Sequence, residues 1–166
     1  MNRLLLVIAF IMLLQPNAGY SSSPNSSDKD VRKFAYDSFK LVLSYSLDKS
    51  LSGDFEHEIA DPSGLIVLLA EINAAEARNL LIQLVEVHLG PVHSEALDYA
   101  IVKQGKKIRA SLMTLSAKPV QCAFLNNELS GAKLDKVKCL NKQDRDRIIA
   151  SLLNLIDQGK PLEYEP

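Results

Sequence analysis

An acidic segment between residues 54 and 61 holds the densest group of side chains able to do chemistry. Four carboxylates and one imidazole fall within eight positions: Asp54, Glu56, His57, Glu58 and Asp61. Oxygen ligands of this kind can bind a divalent cation. However, the spacing does not fit an EF-hand, and no second histidine completes a zinc-protease helix. We therefore interpret the segment as a solvated loop between helices, with a protein-binding surface as the alternative, and predict no metal site.

Two further imidazoles flank a Gly-Pro turn. His88 and His93 lie on either side of Gly90 and Pro91, and glycine followed by proline typically ends a helix. The helical spacing places His88 on an apolar face, so we expect it to be partly buried. His93 precedes Ser94, the predicted cap of the next helix, and we expect it to project into solvent. We interpret the turn as an ordinary connection, with insertion of Pro91 and His93 into a partner's cleft as the alternative.

The rest of the chain does not match the common templates for catalysis. It has no nucleophile-elbow motif, phosphate-binding loop or dinucleotide fingerprint. A glycosidase would place two carboxylates beside a sugar-binding cleft, yet the chain has no tryptophan and only five phenylalanines and five tyrosines. The sequence therefore predicts neither an enzyme nor a cofactor.

The first twenty residues indicate where the chain acts. Arg3 precedes an uninterrupted apolar run over residues 4–14, and small residues follow it. This run is shorter than the roughly 20 apolar residues that a membrane-spanning helix needs, and the order matches a cleavable secretory signal. We predict that residues 1–20 are a signal peptide, that residues 21–27 are a disordered tail, and that residues 28–162 form a single helical domain. That domain is expected to be periplasmic or otherwise exported, with no membrane attachment after cleavage.

The chain contains two cysteines, Cys122 and Cys139. In an exported protein, an even number of cysteines is typical of disulfide bonding. Closing a loop of about 17 residues would stabilise the fold by roughly 3 kcal/mol in the chain-entropy model. Since neither cysteine has a nearby histidine in the sequence to activate a thiolate, we predict a structural disulfide rather than a catalytic thiol or a metal pair.

Composition and charge exclude one further class of protein. The 166 residues include 19 basic and 20 acidic side chains, for a net charge of −1. A nucleic-acid-binding protein would carry a strong positive excess. Lysines do cluster in residues 103–109 and 133–142, but no aromatic side chains alternate with them to stack on nucleobases. We therefore predict no nucleic-acid partner.

Apolar residues recur at helical spacing through most of the chain after residue 27. The predicted helices cover residues 28–49, 62–72, 73–89, 94–117 and 142–158. The predicted N-caps are Ser27, Asp61, Asn73, Ser94 and Asn141. Gly105 lies within the apolar stripe of the fourth helix, where it indicates either a close helix crossing or a kink. Strand and hairpin signals are nearly absent, so the predicted fold class is all-α, a compact bundle of five to six helices with one disulfide.

Together these features resemble the periplasmic immunity proteins that bacteria pair with type VI secreted cell-wall amidase effectors. The resemblance rests on the signal, the helical pattern from Ser27 to Gly159, and the Cys122…Cys139-Leu140-Asn141-Lys142 layout before the last helix. It implies a non-enzymatic protein that binds a secreted peptidoglycan amidase and blocks its Cys-His cleft. It also implies binding through inter-helix loops, and the candidate contact residues are then Asp54, Glu56, His57, Glu58, Pro91 and His93.

Two other functions stay open from the sequence. A periplasmic adaptor or chaperone would present a larger apolar groove to many clients. A small cell-envelope enzyme would act on peptidoglycan and lose that activity when Glu56 or Glu58 is replaced by glutamine. A homodimer is the alternative to a monomer.

Overall fold

The computed structural model describes residues 26–72, 74–125, 136–159 and 161–164. Within them, the predicted all-α fold class is confirmed, with six α-helices and one short 3-10 helix. The elements in chain order are α1 (Ser26–Ser52), the 3-10 helix (Phe55–His57), α2 (Pro62–Glu71), α3 (Ala75–Leu84), α4 (Pro91–Gln104), α5 (Lys106–Ser116) and α6 (Lys142–Gln158).

The predicted signal peptide and residues 21–25 of the predicted tail lie outside the described residues. Helix α1 begins at Ser26, so the last two residues of that predicted tail are helical. Among the described helices, none combines the length and the apolar character that crossing a membrane requires.

Helix α2 lies at the centre of the fold, as its nearly continuous apolar sequence predicted. It packs chiefly against α4 and also contacts α1 and α3. Burial of a large aliphatic side chain contributes about 1.5–3 kcal/mol, so this centre is a main source of stability. Its buried apolar side chains are Leu65, Ile66, Leu69 and Ala70.

Two of the five predicted N-caps are confirmed, whereas Ser27 and Ser94 lie within α1 and α4 and are not caps. Asp61 accepts hydrogen bonds from two backbone N–H groups in the first turn of α2, at 3.1 and 2.8 Å. Asn141 accepts one from the backbone N–H of Asp144 at 2.9 Å. Asn73 lies outside the described residues, and Ala74 occupies the N-cap position of α3 without a side-chain hydrogen bond.

The predicted helix over residues 73–89 is shorter in the structure. Helix α3 ends at Leu84, and Val87 forms an isolated antiparallel bridge with Cys139. The backbone N–H of His88 donates to the carbonyl of Lys138 at 2.7 Å. These backbone contacts take the chain away from the helical path before it reaches His88.

The predicted helix over residues 94–117 is two helices, α4 and α5, which meet at Gly105. This residue has φ +54° and ψ −131°, a conformation that side chains with a Cβ rarely adopt. A Cβ placed there would meet only the carbonyl of Val102, at 3.7 Å. The glycine is therefore required by the break between the helices and not by a close helix crossing.

A buried ion pair joins the segment after α3 to the start of α6. Arg145 has no exposed side-chain surface, and its Nη1 donates to Oε1 of Glu86 at 2.9 Å. Its Nη2 donates to the carbonyl of Lys118 at 2.7 Å, just beyond the end of α5. The pair thus connects three parts of the chain that are far apart in sequence.

The predicted disulfide between Cys122 and Cys139 is confirmed, with the two Cα atoms 5.9 Å apart. Oε2 of the buried Glu86 accepts a hydrogen bond from the backbone N–H of Cys122 at 2.7 Å. Since Cys139 also bridges Val87, the two cysteines hold the segment after α3 from both sides.

Candidate functional site

The two candidate contact segments lie together at one end of the helices. His93 of α4 lies between Ser50 at the end of α1 and Ser63 at the start of α2. A Cβ added at Gly90 would also meet the side chain of Leu51 at 3.6 Å. These contacts place the start of α4 beside the connection between α1 and α2. We call the exposed part of residues 54–61 and 91–93 the loop face.

His93 is buried, so the prediction that it projects into solvent is wrong. Its Nδ1 lies 2.8 Å from Oγ of Ser63, and its Nε2 lies 3.0 Å from Oγ of Ser50. The cause is the start of α4, which begins at Pro91 rather than after Ser94. His93 therefore occupies the first turn of the helix and faces α1 and α2.

His88 is exposed, so the prediction that it is partly buried is also wrong. That prediction assumed that α3 continues to residue 89, whereas it ends at Leu84. The two histidines thus have the opposite environments from those expected.

Acidification is expected to destabilise the protein through His93. Burial lowers the pKa of its imidazole, and the carboxylates of Asp61 and Glu58 oppose this effect. The unfolded chain therefore binds the proton more readily than the folded protein does. The stabilising contribution is complete above the usual histidine pKa of about 6.5, and it is lost as the pH falls from there through the lowered pKa.

Urea unfolding at about pH 7.5 and about pH 5 measures the loss of stability that is due to His93. This loss amounts to about 1.4 kcal/mol for each unit by which the pKa of His93 is lowered. The variant His93→Gln should lose less stability between the two pH values than the wild type. The matched control is His88→Gln, because His88 is exposed. An unchanged pH dependence in His93→Gln would assign the acid effect to other groups.

Two of the loop carboxylates have structural roles. Asp54 pairs with Lys49 at 2.9 Å and with Nδ1 of His57 at 2.5 Å. The hydrogen bond from His57 lowers the pKa of the Asp54 carboxyl most, and the hydrogen bond from Lys49 lowers it further. Asp61 caps α2. Asp54, His57 and Asp61 therefore fix the shape of the loop, and the carboxylates of Asp54 and Asp61 are already hydrogen-bonded within the chain.

The two glutamates of the loop differ from these aspartates. Glu56 is exposed. Glu58 is half-buried, and its Oε1 is inaccessible to solvent without a hydrogen-bond partner. The carboxylate of Glu56 can therefore accept a hydrogen bond from another molecule. That of Glu58 can do so after a change of its side-chain rotamer. In the described ranges 26–72, 74–125, 136–159 and 161–164, no three His, Cys, Asp or Glu side chains are grouped to hold a metal ion.

Apolar side chains on the loop face were missed by the sequence reasoning, which followed the charges. Phe55 is 67% exposed and Val92 is 61% exposed, and Ile59 is also largely accessible. These three make up half of the six large apolar side chains that are exposed among the described residues. The signal in the sequence was the presence of Phe55 and Ile59 outside any predicted helix.

Comparison with known proteins identifies no relative from which the function of the loop face could be inferred. The chain matches none of the protein-family models, curated proteins or solved structures with which it was compared. A function must therefore be argued from the residues of the loop face themselves.

Proposed function

We propose that this chain is an exported, non-enzymatic binding protein that docks on a protein partner through the loop face. The partner is a secreted cell-wall amidase whose active-site cleft the chain occludes, in keeping with the resemblance to periplasmic immunity proteins. The observation that carries the proposal is the exposure of Phe55 and Val92 at the same end of the fold. A few aromatic or large apolar anchors contribute most of the free energy in protein interfaces.

The residues beneath the loop face support this role because contacts within the chain already hold them in place. Asp54 is tied to Lys49, Asp61 caps α2, and His93 lies between two serines. A surface held in its binding conformation loses less conformational entropy when a partner docks. Phe55 is thus presented on a fixed segment without being part of the core.

Charge beside the apolar anchors defines the partner's surface. Glu56 adjoins Phe55 in sequence, and Glu58 adjoins Ile59. A complementary partner presents an apolar pocket with basic side chains around it. Such charges raise the association rate and select the orientation more than they increase affinity.

Affinity capture with the purified mature protein tests the proposal. We expect the wild type to retain one peptidoglycan amidase in stoichiometric amount and to inhibit its hydrolysis of purified peptidoglycan. Phe55→Ala is expected to weaken this binding at least about 30-fold, which corresponds to the roughly 2 kcal/mol of an interface hot spot. Its melting temperature should stay unchanged, because the side chain is exposed in the free protein.

Phe34→Ala is the matched control, because Phe34 is 74% exposed and lies roughly 24 Å along α1 from Ser50. We expect it to bind like the wild type. Equal affinities of the two phenylalanine variants would place the interface elsewhere. Recovery of many weakly bound clients would instead support an adaptor or chaperone, and hydrolysis of peptidoglycan by the purified chain would support an enzyme.

A further inference from the structure

A cavity of about 390 Å³ lies between the segment after α3, the first turns of α4 and the first half of α6. Its volume falls within the range of about 300–1,000 Å³ that is typical of small-molecule sites. The walls are mainly apolar and include Val87, Leu97 and Ile148. We call it the Asp98 cavity. None of the loop-face residues lines it, so a ligand bound in the cavity would be independent of the proposed function.

Asp98 is the polar group that distinguishes this cavity. Asp98 is half-buried on α4, and it lines both this cavity and a neighbouring groove beside Tyr99 and Leu155. Within the described residues, its carboxylate makes no hydrogen bond and no ion pair. By contrast, the carboxylate of Glu86 is paired with Arg145, and that of Asp54 with Lys49. Burial, together with the negative charge of Glu95, raises the pKa of Asp98, as expected for a carboxylate without a cation.

The remaining polar residues of the lining are Asp144, Ser94, Ser151 and the exposed His88. Asp144 reaches the cavity from the first turn of α6, and its Oδ2 accepts a hydrogen bond from the side-chain amide of Asn141 at 2.7 Å. Among the described residues that line the cavity, none is a lysine or an arginine. Asp144 is also paired with Arg147 at 3.4 Å, so Asp98 is the lining carboxylate that makes no ion pair within the described residues.

We propose that the Asp98 cavity binds a primary alkylammonium group, with the ammonium on the Asp98 carboxylate and the alkyl chain against Val87, Leu97 and Ile148. A cation at this position offsets the desolvation cost of the half-buried Asp98 carboxylate. The attraction between the ammonium and the carboxylate is also stronger there than in bulk water. The apolar walls bury the methylene groups at about 0.8 kcal/mol each. The same chemistry is offered by a free amine and by a lysine side chain of another protein.

Titration of the 15N-labelled mature protein with 1-pentylamine tests the inference. We expect saturable shifts in the amide signals of residues around the cavity, and at least tenfold weaker binding of 1-pentanol, which has the same chain without the charge. Asp98→Asn should weaken amine binding at least tenfold and leave pentanol binding unchanged. Glu95→Gln is the control, since this exposed neighbour does not line the cavity, and it should retain nearly the wild-type affinity.

A second variant keeps the inference testable if Asp98→Asn fails to fold. Ser151 is exposed at the rim, and Ser151→Leu should narrow the cavity and weaken amine binding without changing the charge. Binding of both pentylamine and Nα-acetyl-lysine methyl ester supports a free-amine ligand. Binding only of a lysine-containing peptide supports a protein ligand. Equal affinities for pentylamine and pentanol would overturn the inference. So would an affinity for pentylamine that neither Asp98→Asn nor Ser151→Leu changes.

Discussion

Replacement of Arg145 by methionine is expected to lower the free energy of unfolding by about 3–5 kcal/mol. The arginine is completely buried, and it donates hydrogen bonds to the Glu86 carboxylate and to the carbonyl of Lys118. Methionine keeps much of the apolar volume but leaves the buried Glu86 without its cation. Since removal of one member of a buried ion pair leaves an uncompensated charge, the loss should exceed that of an ordinary surface substitution. Urea unfolding followed by circular dichroism measures it.

The matched control for this prediction is Arg147→Met, two residues further along α6. Arg147 is exposed, and its 3.4 Å contact with Asp144 is a surface ion pair, so the expected change is below about 1 kcal/mol. The double variant Arg145→Met/Glu86→Met should regain part of the lost stability, because it removes both charges together. Equal stabilities of Arg145→Met and Arg147→Met would show that the buried pair contributes little.

The role of Arg145 could not be predicted from the sequence. It lies in the run Asp144-Arg145-Asp146-Arg147 at the start of α6, a pattern that is typical of a solvated helix face. Its partner Glu86 is 59 residues away. Helical spacing places Arg145 on the same face as the buried Ile149 and Leu152, but it gives no information about a partner that lies so far away in the sequence.

The helices that were predicted correctly are those whose ends depend on local chemistry. Asp61 followed by Pro62 begins α2, and Asn141 begins α6, because each supplies acceptors for the free N–H groups of the first turn. Gly159 ends α6 with φ +64°, as glycine commonly does. Each of these signals lies within a few residues of the boundary that it sets.

The ends of α3 and α4 were predicted less well because they depend on distant contacts or on competing signals. Helix α3 stops where the chain turns to pair with residues 138–140, about fifty residues further on. At the start of α4, Pro91 at the first helical position and Ser94 as a cap are both legitimate signals. The choice between them led to the wrong environment for His93, whereas the overlong α3 led to the wrong environment for His88.

The sequence predicted which residues of the loop face carry charge, but not which of its side chains are exposed and free of contacts within the chain. The segment that holds Asp54 and Asp61 was interpreted as a solvated loop, whereas both carboxylates are bonded within the chain. The exposure of Phe55 and Val92 was overlooked, because apolar residues are expected in a core. Whether a loop residue is covered depends on the path of the whole loop, which spacing alone does not determine.

Removal of the disulfide is expected to destabilise the protein by about 3 kcal/mol, because the bond limits the conformations of the unfolded chain. The test uses the double variant Cys122→Ser/Cys139→Ser, which leaves no free thiol. The backbone of Cys122 remains bonded to Glu86, and that of residue 139 remains able to bridge Val87. We therefore expect the variant to keep the wild-type helical content while its melting temperature falls by about 6–12 °C.

A reducing agent separates the effect of the bond from that of the two substitutions. The wild type in dithiothreitol should melt near the temperature of the double variant, whereas the variant should melt at the same temperature with and without it. Equal melting of the oxidised and reduced wild type would contradict the prediction, and it would mean that the contacts of Glu86 hold this segment without the covalent bond. In that case the stability of the segment would depend on Arg145, and the two sets of variants together would distinguish the contributions of the ion pair and of the disulfide.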